Sequence, residues 1–359
     1  MKAGPGSRTR WITFLILLAI VSLARADDSV AGPCAAALSR SAVCEAANNY
    51  ALERMKEGNL EAIIVMQEVR TGALVAFAAS NPARLDVTTA LVPLSPVKLL
   101  VAASWLDHQD ANGSKLPDSA KLLTDSIVSG NDKAGGQIAS ALREAVGTDA
   151  VLKDLARYGF PAHEEEMAKT DTRFWTELAS RWREKLIPAT SYHSLGKDTT
   201  TRDWEDTLSI GERRFVATAL HLSRFLQAVG NGGVMAPAVA REEGMPGSAT
   251  PASGTRVMSE TAALKLQTLM RGTVERGTAK SAAPILAGTR WSMGGKTGTA
   301  PAPGATEPGP GSNGCFAGLI FDAQGKARFT VVTFVNHGGF GGGNAAGISA
   351  ELARFLSGE

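Results

Sequence analysis

Trp291-Ser292-Met293-Gly294-Gly295-Lys296-Thr297-Gly298-Thr299-Ala300 reads as a β-strand carrying a cation, and the rest of the chain sorts around it. On an extended backbone successive side chains point to opposite faces, so Lys296 and Gly298 share one face and Thr297 and Thr299 the other. Lys296 can hold a fixed positive charge beside a groove. Gly298, with no side chain, lets a second backbone or a ligand come close to the strand. A substrate laid along that edge would meet backbone donors and acceptors, a carboxylate-seeking ammonium and a hydroxyl. A lone Lys-Thr-Gly is more often an ordinary turn into a strand, so the assignment depends on what the rest of the chain supplies.

Two further strand-like runs follow it, at 315–321 and 328–335. Two lie far upstream, at 62–67 and 73–79, separated by the hairpin signal Arg70-Thr71-Gly72. The periodicity between them is helical, at 134–145, 150–158, 174–182, 215–229 and 259–274, with a polar loop at 194–203. Residues 94–106 predict a helix with Ser95 as cap and Pro96 in the first turn, apolar enough to be buried on most sides. An amphipathic helix at 35–55 and a closing helix at 346–356 complete the pattern. Strands at both ends with helices between predict a mixed α/β (α+β) fold. It is an antiparallel sheet built from N- and C-terminal segments, flanked by helices, with an inserted helical subdomain over about residues 107–235.

The 359 residues carry a net charge of only +2 and are 44% hydrophobic, the profile of an ordinary globular protein. Basic residues are dispersed and balanced by acids, which argues against a nucleic-acid partner. Lys2, Arg8 and Arg10 precede an apolar run at 11–23 and then Ala24-Arg25-Ala26, the order of a secretory signal cleaved after Ala26. The run falls short of the ~20 residues that span a bilayer. The expectation is therefore a signal peptide over 1–26, no stable membrane span after cleavage, a helical segment over 27–60 and a catalytic domain over 61–359. Export implies an oxidising compartment, where Cys34 and Cys44 are close enough in sequence to form a staple. Cys315, in an apolar run, reads as a buried thiol and not as a nucleophile. No Cys/His group has metal-ligand spacing, and the five histidines read as surface or packing residues.

Chemistry on a bound carboxylate needs a nucleophile and a group that activates it. Ser95 and Lys98 lie three apart at a helix start, about one turn from each other on one side. A lysine buried in an apolar helix is a candidate base, because desolvation lowers its pKa, and a serine hydroxyl needs such a base. About one Ser-x-x-Lys arises by chance in a chain of this length. The second occurrence, Ser194-Leu195-Gly196-Lys197, falls in the polar loop, where its lysine would stay solvated, and it is set aside. Ser129-Gly130-Asn131 could place one hydroxyl to relay protons and one amide to hydrogen-bond a substrate.

Ser-x-x-Lys on a helix, then Ser-x-Asn, then Lys-Thr-Gly on a strand resembles the motif set of penicillin-binding proteins and serine β-lactamases. Ser209-Ile210-Gly211 through Asn231-Gly232-Gly233-Val234, Met258-Ser259-Glu260, Gly272-Thr273-Val274, Gly277-Thr278-Ala279 and Gly341-Gly342-Gly343 are also similar to the transpeptidase domain, so the likeness runs from about residue 62 to the C-terminus. The resemblance implies the β-lactamase/DD-peptidase-like fold, Ser95 as the acylated residue, Lys98 as its base, and Ser129 and Lys296 as proton shuttles and carboxylate holders. It implies substrate contacts from Asn131, Thr297, Gly298 and Thr299, and an oxyanion hole from the backbone N–H groups of Ser95 and Thr299.

The implied ligands are peptidoglycan stem peptides ending in D-Ala-D-Ala and the β-lactams that mimic them. No metal or organic cofactor is implied, and the implied place of action is the periplasm or extracytoplasmic envelope. The chain departs from the pattern at Pro93-Leu94-Ser95-Pro96, where Pro-Gly-Ser is usual. The spacing from Ser95 to Ser129 is short, which predicts a trimmed helical insertion. Only a signal and a short helix precede the sheet, where large synthases have an anchor and a pedestal domain. Two alternatives are a class D-like β-lactamase, in which Ser129 replaces the usual Tyr, and a non-catalytic β-lactam or muropeptide sensor.

Overall fold

The computed structural model describes residues 42–80, 91–112, 118–162, 192–193, 195–211, 215–236, 254–301 and 305–356. The signal segment, Cys34, the side chain of Cys44 and the helix expected at 174–182 lie outside the described residues.

Five strands form one antiparallel sheet: β1 (Glu61–Gln67), β2 (Leu74–Ala79), β7 (Ser292–Ala300), β8 (Asn313–Phe321) and β9 (Ala327–Asn336). Their spatial order is β2-β1-β9-β8-β7, so the last strand made, β9, sits at the centre, and the lysine strand β7 is an edge. Among the described residues, two-residue pairs complete the β-structure, β3 (Tyr192–His193) with β4 (Phe215–Val216), and β5 (Val234–Met235) with β6 (Thr255–Arg256).

Alternation along the strands divides the interior in two. Ile63, Val65, Ala317, Leu319, Val332 and Phe334 face one core, which they share with the helices α2 (Val97–Asn112), α7 (Ala219–Gly230) and α8 (Glu260–Glu275). Ile64, Met66, Phe316, Ile320, Val331 and Val335 face the other, beneath α1 (Ala42–Glu57) and α9 (Ala346–Phe355). Both faces are covered, which is why the strands read as nearly unbroken apolar runs and not as alternating ones.

The helical part between β2 and β7 includes α3 (Ser119–Ile127), α4 (Asp132–Val146), α5 (Thr148–Arg157) and α6 (Thr201–Ile210). Three expectations need correction here. Residues 215–229 are not one helix: Phe215–Val216 pairs as a strand, and Thr218 then caps α7 by accepting from the His221 N–H at 3.1 Å. The polar stretch at 194–203 is not loop to its end, because the Thr200 hydroxyl accepts from the Asp203 N–H and starts α6 at Thr201. Polarity there marks a solvated helix face, as Asp203 and Arg202 are ordinary first-turn residues. Finally, α2 starts at Val97, so Ser95 and Pro96 form the turn before it. Ser259 caps α8 as expected, accepting from the Ala262 N–H. Among the described residues no helix is long and apolar enough to cross a membrane.

Candidate active site

Ser95 sits in a tight turn. Leu94 adopts a left-handed φ of 58°, a conformation costing a branched residue about 1 kcal/mol that the surroundings must enforce. Its carbonyl accepts from the Val97 N–H and the Ser95 carbonyl from the Lys98 N–H, both at 3.0 Å, which winds the chain straight into α2.

Two glycines clamp this turn. A Cβ on Gly211, the left-handed cap of α6, would lie 2.1 Å from the Leu94 carbonyl oxygen. A Cβ on Gly298 would lie 2.7 Å from Leu94 Cβ and 2.9 Å from Pro96 Cδ. The absent side chain of Gly298 is thus what allows the lysine strand to press against the turn that carries Ser95. Ser95 itself is partly exposed, and among the described residues its hydroxyl has no hydrogen-bond partner.

Lys98, the second residue of α2, and Lys296, on β7, are both only 1% exposed. The loop between α3 and α4 separates them. Lys98 Nζ donates to the Gly130 carbonyl at 3.2 Å and to Asp132 Oδ1 at 2.5 Å. Lys296 Nζ donates to the Thr297 carbonyl at 2.8 Å and would lie 3.8 Å from a Cβ on Gly130. Gly130 has φ 75° and carries no side chain between the two ammonium groups. Burial pushes the Lys98 pKa down, against the opposing pull of the Asp132 carboxylate. Burial pushes Lys296 down to about 7, the neighbouring Lys98 charge adding to the fall and Asp132 resisting it. Lys296 therefore sits near half-protonation at neutral pH, while Cys315, buried beside the same strand, is driven far from ionisation.

The strand alternation read from sequence is realised. Lys296 and Gly298 face the Ser95 side. On the opposite face the Thr297 hydroxyl pairs with the Thr278 hydroxyl at 2.7 Å, and the Thr299 hydroxyl accepts from the Gly341 N–H at 3.1 Å. The Thr297–Thr278 pair borders the site, because Thr278 Cγ2 would lie 3.2 Å from a Cβ on Gly130, the residue set between the two lysines. Ser129 is exposed at the end of α3. Asn131 caps α4, its Oδ1 accepting from the Ala134 N–H at 3.0 Å, so its amide N–H₂ is the part left for a ligand.

Lys197, in the rejected Ser-x-x-Lys, is an exposed surface residue facing Asp149 at 3.2 Å. Sequence reasoning missed Asp132, whose position at a helix start reads simply as a favourable first-turn charge. Thr278 enters the sequence reading only as part of Gly277-Thr278-Ala279, with no role given to it, whereas in the fold it partners the Thr297 hydroxyl and its N–H donates to the Val128 carbonyl at 3.2 Å.

The family model for the penicillin binding protein transpeptidase domain matches residues 189–354. No sequence among the curated proteins matches the chain. Among solved structures, the apo transpeptidase domain of Burkholderia pseudomallei penicillin-binding protein 3 superposes with a TM-score of 0.63 at 16% identity, over 89% of this chain and 92% of that one. PBPA from Mycobacterium tuberculosis gives 0.61 at 16% identity, covering 88% and 78%. The transpeptidase domain of the FtsI4 D,D-transpeptidase from Legionella pneumophila gives 0.56 at 18% identity, covering 92% and 98%. At these identities the likeness is one of fold: a mixed α+β architecture with an antiparallel sheet flanked by helices.

Proposed function

From the match of residues 189–354 to the penicillin binding protein transpeptidase domain and the shared fold, we propose that the chain is an exported serine acyltransferase. It acts on D-Ala-D-Ala peptidoglycan stem peptides through a Ser95 acyl-enzyme and is trapped by β-lactams. The observation that carries this reading is the placing of two buried lysines, Lys98 and Lys296, on either side of Gly130, with the lysine strand packed by Gly298 onto the turn of Ser95.

In the reaction Lys98, as free base, takes the Ser95 proton while Oγ bonds to the carbonyl carbon of the penultimate residue. The negative charge that develops on the carbonyl oxygen meets backbone N–H groups of Ser95 and Thr299. The terminal carboxylate lies against Lys296, whose pKa it raises, so binding and protonation of that lysine reinforce each other. The proton held by Lys98 passes by way of Ser129 to the leaving nitrogen. An amine or a water then takes the acyl group, giving transpeptidation or carboxypeptidation.

A class D-like lactamase would require Lys98 as a carbamate. That anion would face the Asp132 carboxylate at the position now occupied by an ammonium 2.5 Å away, so the geometry favours the amine form. A labelled penicillin, followed by intact-protein mass spectrometry, tests the proposal. A long-lived adduct that is lost in Ser95→Ala is expected. Rapid drug turnover would move the assignment to a lactamase, and no adduct in the wild-type protein would overturn both.

A further inference from the structure

Resting on the acyltransferase reading above, we propose that Asp132 is a positioning residue of this site. Its carboxylate holds the Lys98 ammonium against the Gly130 carbonyl and off the Ser95 hydroxyl, and it is the outlet through which Lys98 sheds the proton that blocks it as a base.

Three observations carry this. Two of the three Lys98 Nζ donors go to Asp132 Oδ1 and the Gly130 carbonyl, and among the described residues Lys98 makes no hydrogen bond to the Ser95 hydroxyl. The ammonium is 1% exposed while the carboxylate is 58% exposed, so one end of the pair is buried and the other touches solvent. The path of the lysine is also built for it, because a Cβ on Gly135 would lie 3.0 Å from Lys98 Cε. Consecutive glycines in the second turn of α4, Gly135 and Gly136, each cost about 1 kcal/mol against alanine, and the first clears the route to Asp132.

Asp132 is also the only carboxylate that bears on both lysines among the described residues. From β7 the facing charge is Lys296, and from β8 the facing titratable group is the Cys315 thiol. The α6 side presents the uncharged Ser209, and Glu205 instead takes the hydroxyl of Ser140 on α4. On α3 the Asp125 carboxylate is engaged by Lys121 and Ser126 is uncharged.

The step balances. The Nζ–H bond of Lys98 breaks as an O–H bond forms on Asp132, which passes the proton to water. The freed Nζ lone pair then accepts the Ser95 proton as Oγ is acylated, and Asp132 returns to the carboxylate.

An aspartate at the start of a helix also has an ordinary use in stabilising the helix end. The two roles separate in a titration that needs no substrate: NMR of protein labelled with ¹³Cε-lysine, with Lys98→Arg and Lys296→Arg assigning the signals. Asp132→Asn is expected to lower the Lys98 midpoint by about one pH unit, the low end of what an opposite charge this close does, because solvent screens the exposed carboxylate. Lys296 should follow in the same direction by less. The acidic limb of the penicillin acylation rate should move with Lys98, and Asp132→Glu should restore the wild-type limb. An unchanged Lys98 midpoint in folded Asp132→Asn, with only a lowered melting temperature, would overturn the proposal. If that variant does not fold, Asp132→Ser, also suited to a first turn, replaces it in the same titration. A shifted midpoint in a protein that forms no penicillin adduct would sink the acyltransferase reading and leave the hold of Asp132 on Lys98 standing.

Discussion

Replacing Lys296 by methionine should make the protein more stable at neutral pH while disabling it. The Lys296 pKa falls from 10.5 to about 7 in the folded protein. Between those values the unfolded chain binds a proton that the folded chain does not, so stability rises with pH across the window and the full penalty stands below pH 7. At 1.36 kcal/mol per unit the shift corresponds to a ceiling of about 5 kcal/mol. The methionine keeps the stem volume but leaves the Thr297 carbonyl without its donor, a loss of about 1 kcal/mol. A net gain of about 3 kcal/mol at pH 7 is therefore expected, shrinking toward zero by pH 10. Urea unfolding of both proteins at pH 7, 8, 9 and 10 measures it. A difference that stays flat with pH, or a variant less stable than wild type at pH 7, would refute the claim that this ammonium is held at the expense of the fold.

Gly298→Ala places a methyl group 2.7 Å from Leu94 Cβ and 2.9 Å from Pro96 Cδ. Overpacking of about 1–3 kcal/mol should displace the Ser95 turn and slow penicillin acylation more than tenfold, and wild-type rates would contradict the clamp. His193 and His221 are each buried and held at about 4 instead of 6.5. Stability from each is complete above pH 6.5 and lost as pH falls toward 4, because the unfolded chain takes up the proton first. His193→Phe should lower the slope of stability against pH between 4.5 and 6 by about 1.4 kcal/mol per unit, measured by denaturant titration, and an unchanged slope would show that the ring is not held neutral.

The sheet was legible because its strands are long apolar runs and because Lys296 and Gly298 stand two apart, a spacing that survives any small error in strand limits. Ser95 and Lys98 were legible for the same reason, since three residues at a helix start keep a fixed relation. What could not be read was the partnership. Nothing local distinguishes Asp132 from any acid opening a helix, and its role exists only because α2 brings Lys98 beside it. The threonine partners needed the fold as well: the Thr278 hydroxyl pairs with that of Thr297 and the Gly341 N–H donates to that of Thr299, and neither partner is a sequence neighbour. The break of 215–229 at Thr218 was hidden because Phe215 and Val216 fit the helical period equally well, and only their pairing with β3 separates them.

The central position of β9 has a consequence for how the molecule is made. β1 pairs with it directly, Ile63 opposite Phe334 and Val65 opposite Val332, across almost the whole length of the chain. Closing so large a loop is entropically unfavourable until many other contacts reward it, and no nascent chain can complete the sheet before its final strands emerge. Synthesis therefore yields a long interval in which β1 and β2 have no neighbour to complete them. That interval is when chaperones would find exposed strand edges to hold.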